Sequence, residues 1–164
     1  MNTVEDRIDG ARVLVTEKPA TISTLLFAKV VKYFGTGIVT VLKGLKNMKN
    51  KSGLSMEEFL NSDVDFSMFV DALNDISTKL EPETFLLLIQ EIISGTRVQH
   101  PTNASELMEV SNSNFDAVFT GRMMLMYKVL FLNLKVNFGD FLAGGVSGIA
   151  QSVPVMPTVD KNGK

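Results

Sequence analysis

The sequence predicts a mainly α fold, a single-domain helical bundle of about five helices with a short N-terminal edge strand and a small hairpin. Three observations carry this expectation. Apolar residues recur at three- and four-residue spacing in several separate segments, glycine or proline stands at the ends of those segments, and nothing alternates as βαβ units do. A chain of 164 residues with a hydrophobic fraction of 45% and a charged fraction of 21% fits one domain with a sizeable core. The expected organisation is a flexible lead-in over residues 1–10, a helical domain over 11–150 and a flexible C-terminal tail over 151–164.

Taken in order, Ala11 to Thr16 (ARVLVT) is a short β-branched run, hence the edge strand. Glu17, Lys18 and Pro19 turn the chain into a helix from about Ala20 to Phe34, with Ile22, Leu25, Leu26, Val30 and Phe34 along one side. Gly35 and Gly37 stop it, and a second helix spans about Gly37 to Asn47. Lys43, Lys46, Lys49 and Lys51 make that region locally basic. No aromatic residues interleave with them as a single-strand nucleic-acid platform would need, so they read as solvated.

Asn50 to Leu54 reads as a linker, and Ser55-Met56-Glu57-Glu58 has capping-box spacing. A third helix from about Asp63 to Leu80 carries Phe66, Phe69, Leu73, Ile76 and Leu80 at three-four spacing. Pro82 suits the first position of a fourth helix, Pro82 to Ser94, which ends at Gly95. Val98 and the run Met108 to Val110 are placed to pair as the small hairpin. Asn112-Ser113-Asn114 signals the cap of a long fifth helix beginning near Phe115.

The centre of this long helix, Phe119 to Phe138, organises the rest. At about 100° per residue its apolar side chains fall on two opposed faces. Leu125, Val129, Leu132 and Val136 make one, and Phe119, Met123, Tyr127, Leu130, Leu134 and Phe138 the other. Arg122 with Asn133, and Lys128 with Lys135, form thin polar seams between them. Two physical explanations fit. Either the helix is central and both faces are core, or one face is completed by a partner. Fully burying a Leu or Val contributes roughly 1.5–3 kcal/mol, so a monomer seldom leaves such a face in water unless it binds something. Met123, Met124 and Met126 add an adaptable apolar surface nearby.

Chemistry is hard to find. With no cysteine, disulfides, thiolate metal sites and cysteine nucleophiles are excluded. His100 is the single histidine, beside a proline in irregular chain, too little for imidazole metal ligation or a supported triad. Asp63, Asp65, Asp71 and Asp75 read as solvated helix surface, and Gly144, Gly145 and Gly148 complete no phosphate loop. No catalytic, cofactor-binding or metal-binding residue is therefore expected. The net charge of −2 offers no general attraction to nucleic acid or anionic membranes. No apolar run reaches the roughly 18–20 residues of a membrane span, and the polar, acidic beginning is unlike a secretory signal.

From Phe119 to Leu142 the chain reads F-x-G-R-x-x-L-x-x-x-V-L-x-x-x-L-x-x-N-F-G-D-F-L. The residues concerned are Phe119, Gly121, Arg122, Leu125, Val129, Leu130, Leu134 and Asn137-Phe138-Gly139-Asp140-Phe141. This segment resembles the carboxy-terminal half of tail assembly chaperones from long-tailed, lambda-like bacteriophages. The helix opened by Leu80-Glu81-Pro82 and closed at Gly95-Thr96, and the step made by Val15, Pro19 and Ala20, resemble earlier elements of that family. The lysine-bearing second helix and linker depart from its pattern.

The resemblance implies a non-enzymatic chaperone, needing no cofactor, in the host cytoplasm. It implies that the chain binds and shields the tape-measure protein, recruits the major tail-tube protein, and is absent from the finished virion. Self-association stays open, as does a longer product made by frameshifting. Leu125, Met126, Val129, Leu132 and Val136 become partner-binding candidates for a helix-in-groove contact, on condition that they are exposed. Two other readings remain: a structural tail or connector protein retained in the virion, and a small enzyme or ligand-binding domain with a polar pocket around His100.

Overall fold

The computed structural model describes residues 1–33, 35, 70–71, 73–74 and 77–144. Two strands come first, β1 (Thr3–Ile8) and β2 (Ala11–Thr16), followed by helix α1 over residues 20–33. Residues 70–71, 73–74 and 77 are helical, with Leu73 buried. Helix α2 (Pro82–Ile93), strands β3 (Arg97–Gln99) and β4 (Leu107–Glu109), the short helix α3 (Phe115–Phe119) and the long helix α4 (Met123–Gly144) complete the described chain. The four strands form one antiparallel sheet in the order β1-β2-β3-β4.

The fold is mixed α/β, which corrects the expected helical bundle of about five helices. What overturns the bundle is the pairing of two hairpins through β2 and β3. Residues 3–8, expected within a flexible lead-in, are the outermost strand, in register from Thr3 opposite Thr16 to Ile8 opposite Ala11. The reversal is made by Asp9 (φ 50°) and Gly10 (φ 79°), both left-handed as a two-residue type I′ hairpin requires. Ala11, Val13 and Val15 alternate inward and are buried. Their outward neighbours carry polar cross-strand pairs: Arg12 with Glu5 at 2.9 Å, and the Thr3 and Thr16 hydroxyls at 3.1 Å. In the second hairpin Val98 pairs with Met108, as its sequence suggested.

Helix α2 begins at Pro82 and ends with Ser94 and a left-handed Gly95 (φ 82°), whose N–H donates to Val110 O at 2.9 Å. The expected continuous helix from Phe115 is broken. Thr120-Gly121-Arg122 separates α3 from α4, and Gly121 sits at φ 72°, a conformation available to glycine at little cost. Asn114 precedes α3, but its side chain does not cap the helix. It turns back, accepting from Ser111 N at 2.8 Å and donating to Glu109 O at 2.8 Å, which ties α3 to the end of β4.

Helix α4 lies centrally, against β1 and β2 on the sheet, against α2, and against α3 at its start. Near its far end Phe138 meets Phe27 of α1 with ring centroids 5.5 Å apart. Leu125, Val129 and Leu132 are buried, and so are Leu130, Leu134 and Phe138 opposite. Of the two explanations for its double apolar character, the described chain realises the first along the middle of the helix, where both faces are core, while Met123 at its start is exposed. The polar seams close as well. Arg122 donates to Gln99 O at 3.2 Å, Lys128 pairs with Asp9 of the β1–β2 turn at 2.5 Å, and Asn133 bonds Thr96. Each seam therefore pins α4 to a turn or to the sheet.

Several expectations concern chain outside the described residues. They are the second helix with Lys43, Lys46, Lys49 and Lys51, the Asn50 to Leu54 linker, the Ser55 capping box, Asp63, Asp65 and Asp75, Gly145 and Gly148, and the tail 151–164. No helix among the described residues is long and apolar enough to cross a membrane.

Candidate partner-binding groove

The site is assembled where β2 hands over to α1. Lys18 is held there from three directions. Its backbone N–H donates to Asn137 Oδ1 of α4 at 2.7 Å, its carbonyl accepts from Ser23 Oγ in the first turn of α1, and its Nζ donates to Ser94 O at the end of α2. Asn137 Nδ2 in turn donates to Asn133 O at 3.0 Å. A ladder of side-chain amides on α4 thus fixes both the start of α1 and the end of α2.

Between α1 and α2 this leaves a cleft of about 750 Å³. Ile22, Lys29 and Tyr33 line it from α1, all on one helical face. Thr84, Leu87, Leu88 and Glu91 line it from α2, again on one face, with Lys18, Ser94 and Gly95 at the junction. Lys29 and Glu91 bridge the two helices at 2.6 and 2.7 Å. This pair is half-exposed and worth little in stability. It spans the cleft from one wall to the other. Ile22 is 48% exposed and Leu87 58% exposed, while Leu88 beneath them is buried. Leu25 and Leu86 carry the apolar surface beyond the cleft.

Burial at this junction pushes the Lys18 ammonium below its ordinary range, against a smaller opposing pull from the Glu91 carboxylate. The folded chain consequently releases the Lys18 proton at lower pH than the unfolded chain. In the alkaline window below the unfolded value of 10.5 the unfolded state binds more protons, so this group's contribution to stability rises with pH. The Lys18→Met variant is expected to lose this component. Urea melts of both proteins across that alkaline window should show wild type gaining on the variant as pH rises, and a constant difference would refute the assignment.

Sequence periodicity places partner contacts elsewhere. Leu125, Met126, Val129 and Leu132 are buried within this chain, and Val136 is partly buried against the same core. The condition attached to them, exposure, is not met. Of the methionines near the start of α4, Met123 (66%) and Met124 (51%) are exposed and Met126 is not. His100 lies away from the cleft and accepts from Thr102 N at 3.2 Å within its own loop. Among the described residues no group of three or more acids and histidines is placed to hold a metal ion.

A signal for the groove was present in the sequence. Phe85-Leu86-Leu87-Leu88 puts four apolar residues in succession on one helix, and no single core can receive all of them. Ile22 and Leu25 likewise extend the α1 stripe beyond the part that Leu26 and Val30 bury.

The fold and groove define a small α/β domain built to present apolar helix surface around a half-buried cation. Residues 9–148 match the family described as phage tail assembly chaperone protein, TAC. The chain belongs to this family. No curated protein and no solved structure matched it.

Proposed function

We propose that this tail assembly chaperone binds and shields the tape-measure protein and recruits tail-tube subunits while the tail is built. It acts by covering apolar surface in the host cytoplasm, without catalysing a reaction, and leaves before the virion is complete. The observation that carries this reading is the pair of exposed leucine- and isoleucine-bearing helix faces around the α1–α2 groove, in a member of a tail-assembly family. Exposed apolar surface of this kind marks sites of protein interaction, and a long helical client presents matching stripes before the tube encloses it.

The test is affinity purification of the tagged chain from infected cells, with mass spectrometry of purified particles alongside. The tape-measure protein should co-purify, and the chain should be missing from finished particles. Stoichiometric recovery from particles would instead make it a structural tail or connector protein.

A further inference from the structure

We propose that the α1–α2 groove receives an amphipathic helix carrying a carboxylate within its apolar stripe, and that Lys18 selects for that carboxylate. This deepens the tape-measure reading and rests on it. The occupant follows from the chemistry of the walls and floor.

Both walls are helices, and each offers residues one or two turns apart along a single face. Such a trough accepts a third helix, whose leucines interleave with Ile22 and Leu87. A small enclosed ligand fits less well, because Ile22 and Leu87 stand proud at the rim and the apolar surface runs on to Leu25 and Leu86.

The floor is where charge decides. An ammonium has three N–H donors, and one of those on Lys18 goes to the neutral Ser94 carbonyl. No carboxylate lies within ion-pair distance of it among the described residues. The acids nearby are engaged: Glu91 holds Lys29 with both oxygens, and Glu17 accepts from Asn2 N at 3.0 Å. Covering the groove would strip the remaining water from Lys18, which is unfavourable for a cation that no carboxylate touches and on which Glu91, bound to Lys29, acts from beyond ion-pair distance. A carboxylate supplied by the occupant removes that penalty, whereas an amide or a second cation does not.

The experiment uses the full chain and synthetic amphipathic helical peptides with leucines at i, i+3, i+4 and i+7. They are identical except for one Glu or Gln inside the stripe, and binding is read by fluorescence anisotropy. Wild type should bind the Glu peptide about tenfold more tightly than the Gln peptide, the scale of one partly buried charge pair. Lys18→Met should keep the binding and lose the preference. Leu87→Glu and Ile22→Glu, on opposite exposed walls, should each abolish binding of both peptides while far-UV circular dichroism stays unchanged.

Equal affinity of wild type for the two peptides would overturn the proposal, as would unchanged binding by Leu87→Glu. So would a wild-type dimer that Leu87→Glu makes monomeric, since a second copy would then be the occupant. In infected cells the two readings separate. Failure of wild type to retain the tape-measure protein rejects the functional reading, whereas retention by both wild type and Leu87→Glu rejects only the groove.

Discussion

Replacing Phe131 by alanine is expected to lower the unfolding free energy by about 3–5 kcal/mol. Phe131 sits in the middle of α4, 1% exposed, among the largest fully buried side chains of the described chain. It stands one turn after Tyr127 and seven residues before Phe138, at the edge of the second apolar stripe. On the helical wheel it falls beside the Lys128 seam, the side on which Asp9 of the β1–β2 turn reaches α4. Removing a ring this completely enclosed leaves a cavity that close-packed surroundings refill only in part. Domains of this kind have about 5–15 kcal/mol in total, so the loss is a large share. Urea unfolding should show a lower midpoint with an unchanged slope, and the melting temperature should fall by about 10 °C. Phe131→Leu should cost about 1–2 kcal/mol. A loss under about 1 kcal/mol for the alanine variant would mean that the ring is not enclosed. The groove residues would remain chemically intact in Phe131→Ala, so any loss of tape-measure retention in cells should follow the amount of folded protein.

The helices were legible because their chemistry is local. Pro82 and Gly95 mark the ends of α2 in the sequence and in space, and the periodicity of α4 shows two apolar faces. Periodicity does not say who covers a face. For Leu125, Val129 and Leu132 the covering elements come from the same chain, and the exposed apolar helix surface lies instead on α1 and α2. Strand β1 was hidden by its composition. Glu5, Asp6 and Arg7 occupy the middle of Thr3–Ile8, and charged residues are poor strand formers in isolation. On an edge strand they are suitable, since charge discourages further pairing. The overlooked signal was Asp9-Gly10, a strong short-range hairpin marker, between a run ending in Ile8 and one opening at Ala11. Gly121 was similarly informative. Its left-handed conformation divides what the apolar pattern alone would join. The groove is the least legible part, because it depends on how far apart α1 and α2 stand, and Lys18, Lys29 and Glu91 meet across it only in three dimensions.

The polar residues of α4 should prove as consequential as its apolar ones, and Asn133 is the sharpest case. Asn133 is 1% exposed. Its Nδ2 donates to Val129 O at 3.0 Å and to Thr96 Oγ1 at 2.9 Å, and its Oδ1 lies 3.1 Å from the same hydroxyl. Thr96, itself buried, joins α2 to β3. Asn133→Ala should therefore cost about 2–3 kcal/mol, more than a typical hydrogen bond, because it strands the Thr96 hydroxyl away from water. Thr96→Val alone should be costly for the reciprocal reason, since Asn133 then keeps only the Val129 carbonyl and its Oδ1 loses the hydroxyl. The double variant Thr96→Val with Asn133→Leu removes both polar groups and restores apolar contact. It should lose less than the sum of the single changes, leaving a coupling of about 1–2 kcal/mol in a double-mutant cycle. Additive losses would show that the two side chains do not act on each other. The same variants bear on the groove, since Asn133 O anchors Asn137 and Asn137 Oδ1 holds the Lys18 backbone. If that ladder positions Lys18, the double variant should keep its discrimination between the Glu and Gln peptides, because the Asn133 carbonyl survives the substitution. Asn137→Ala should weaken that discrimination without filling the groove or emptying it.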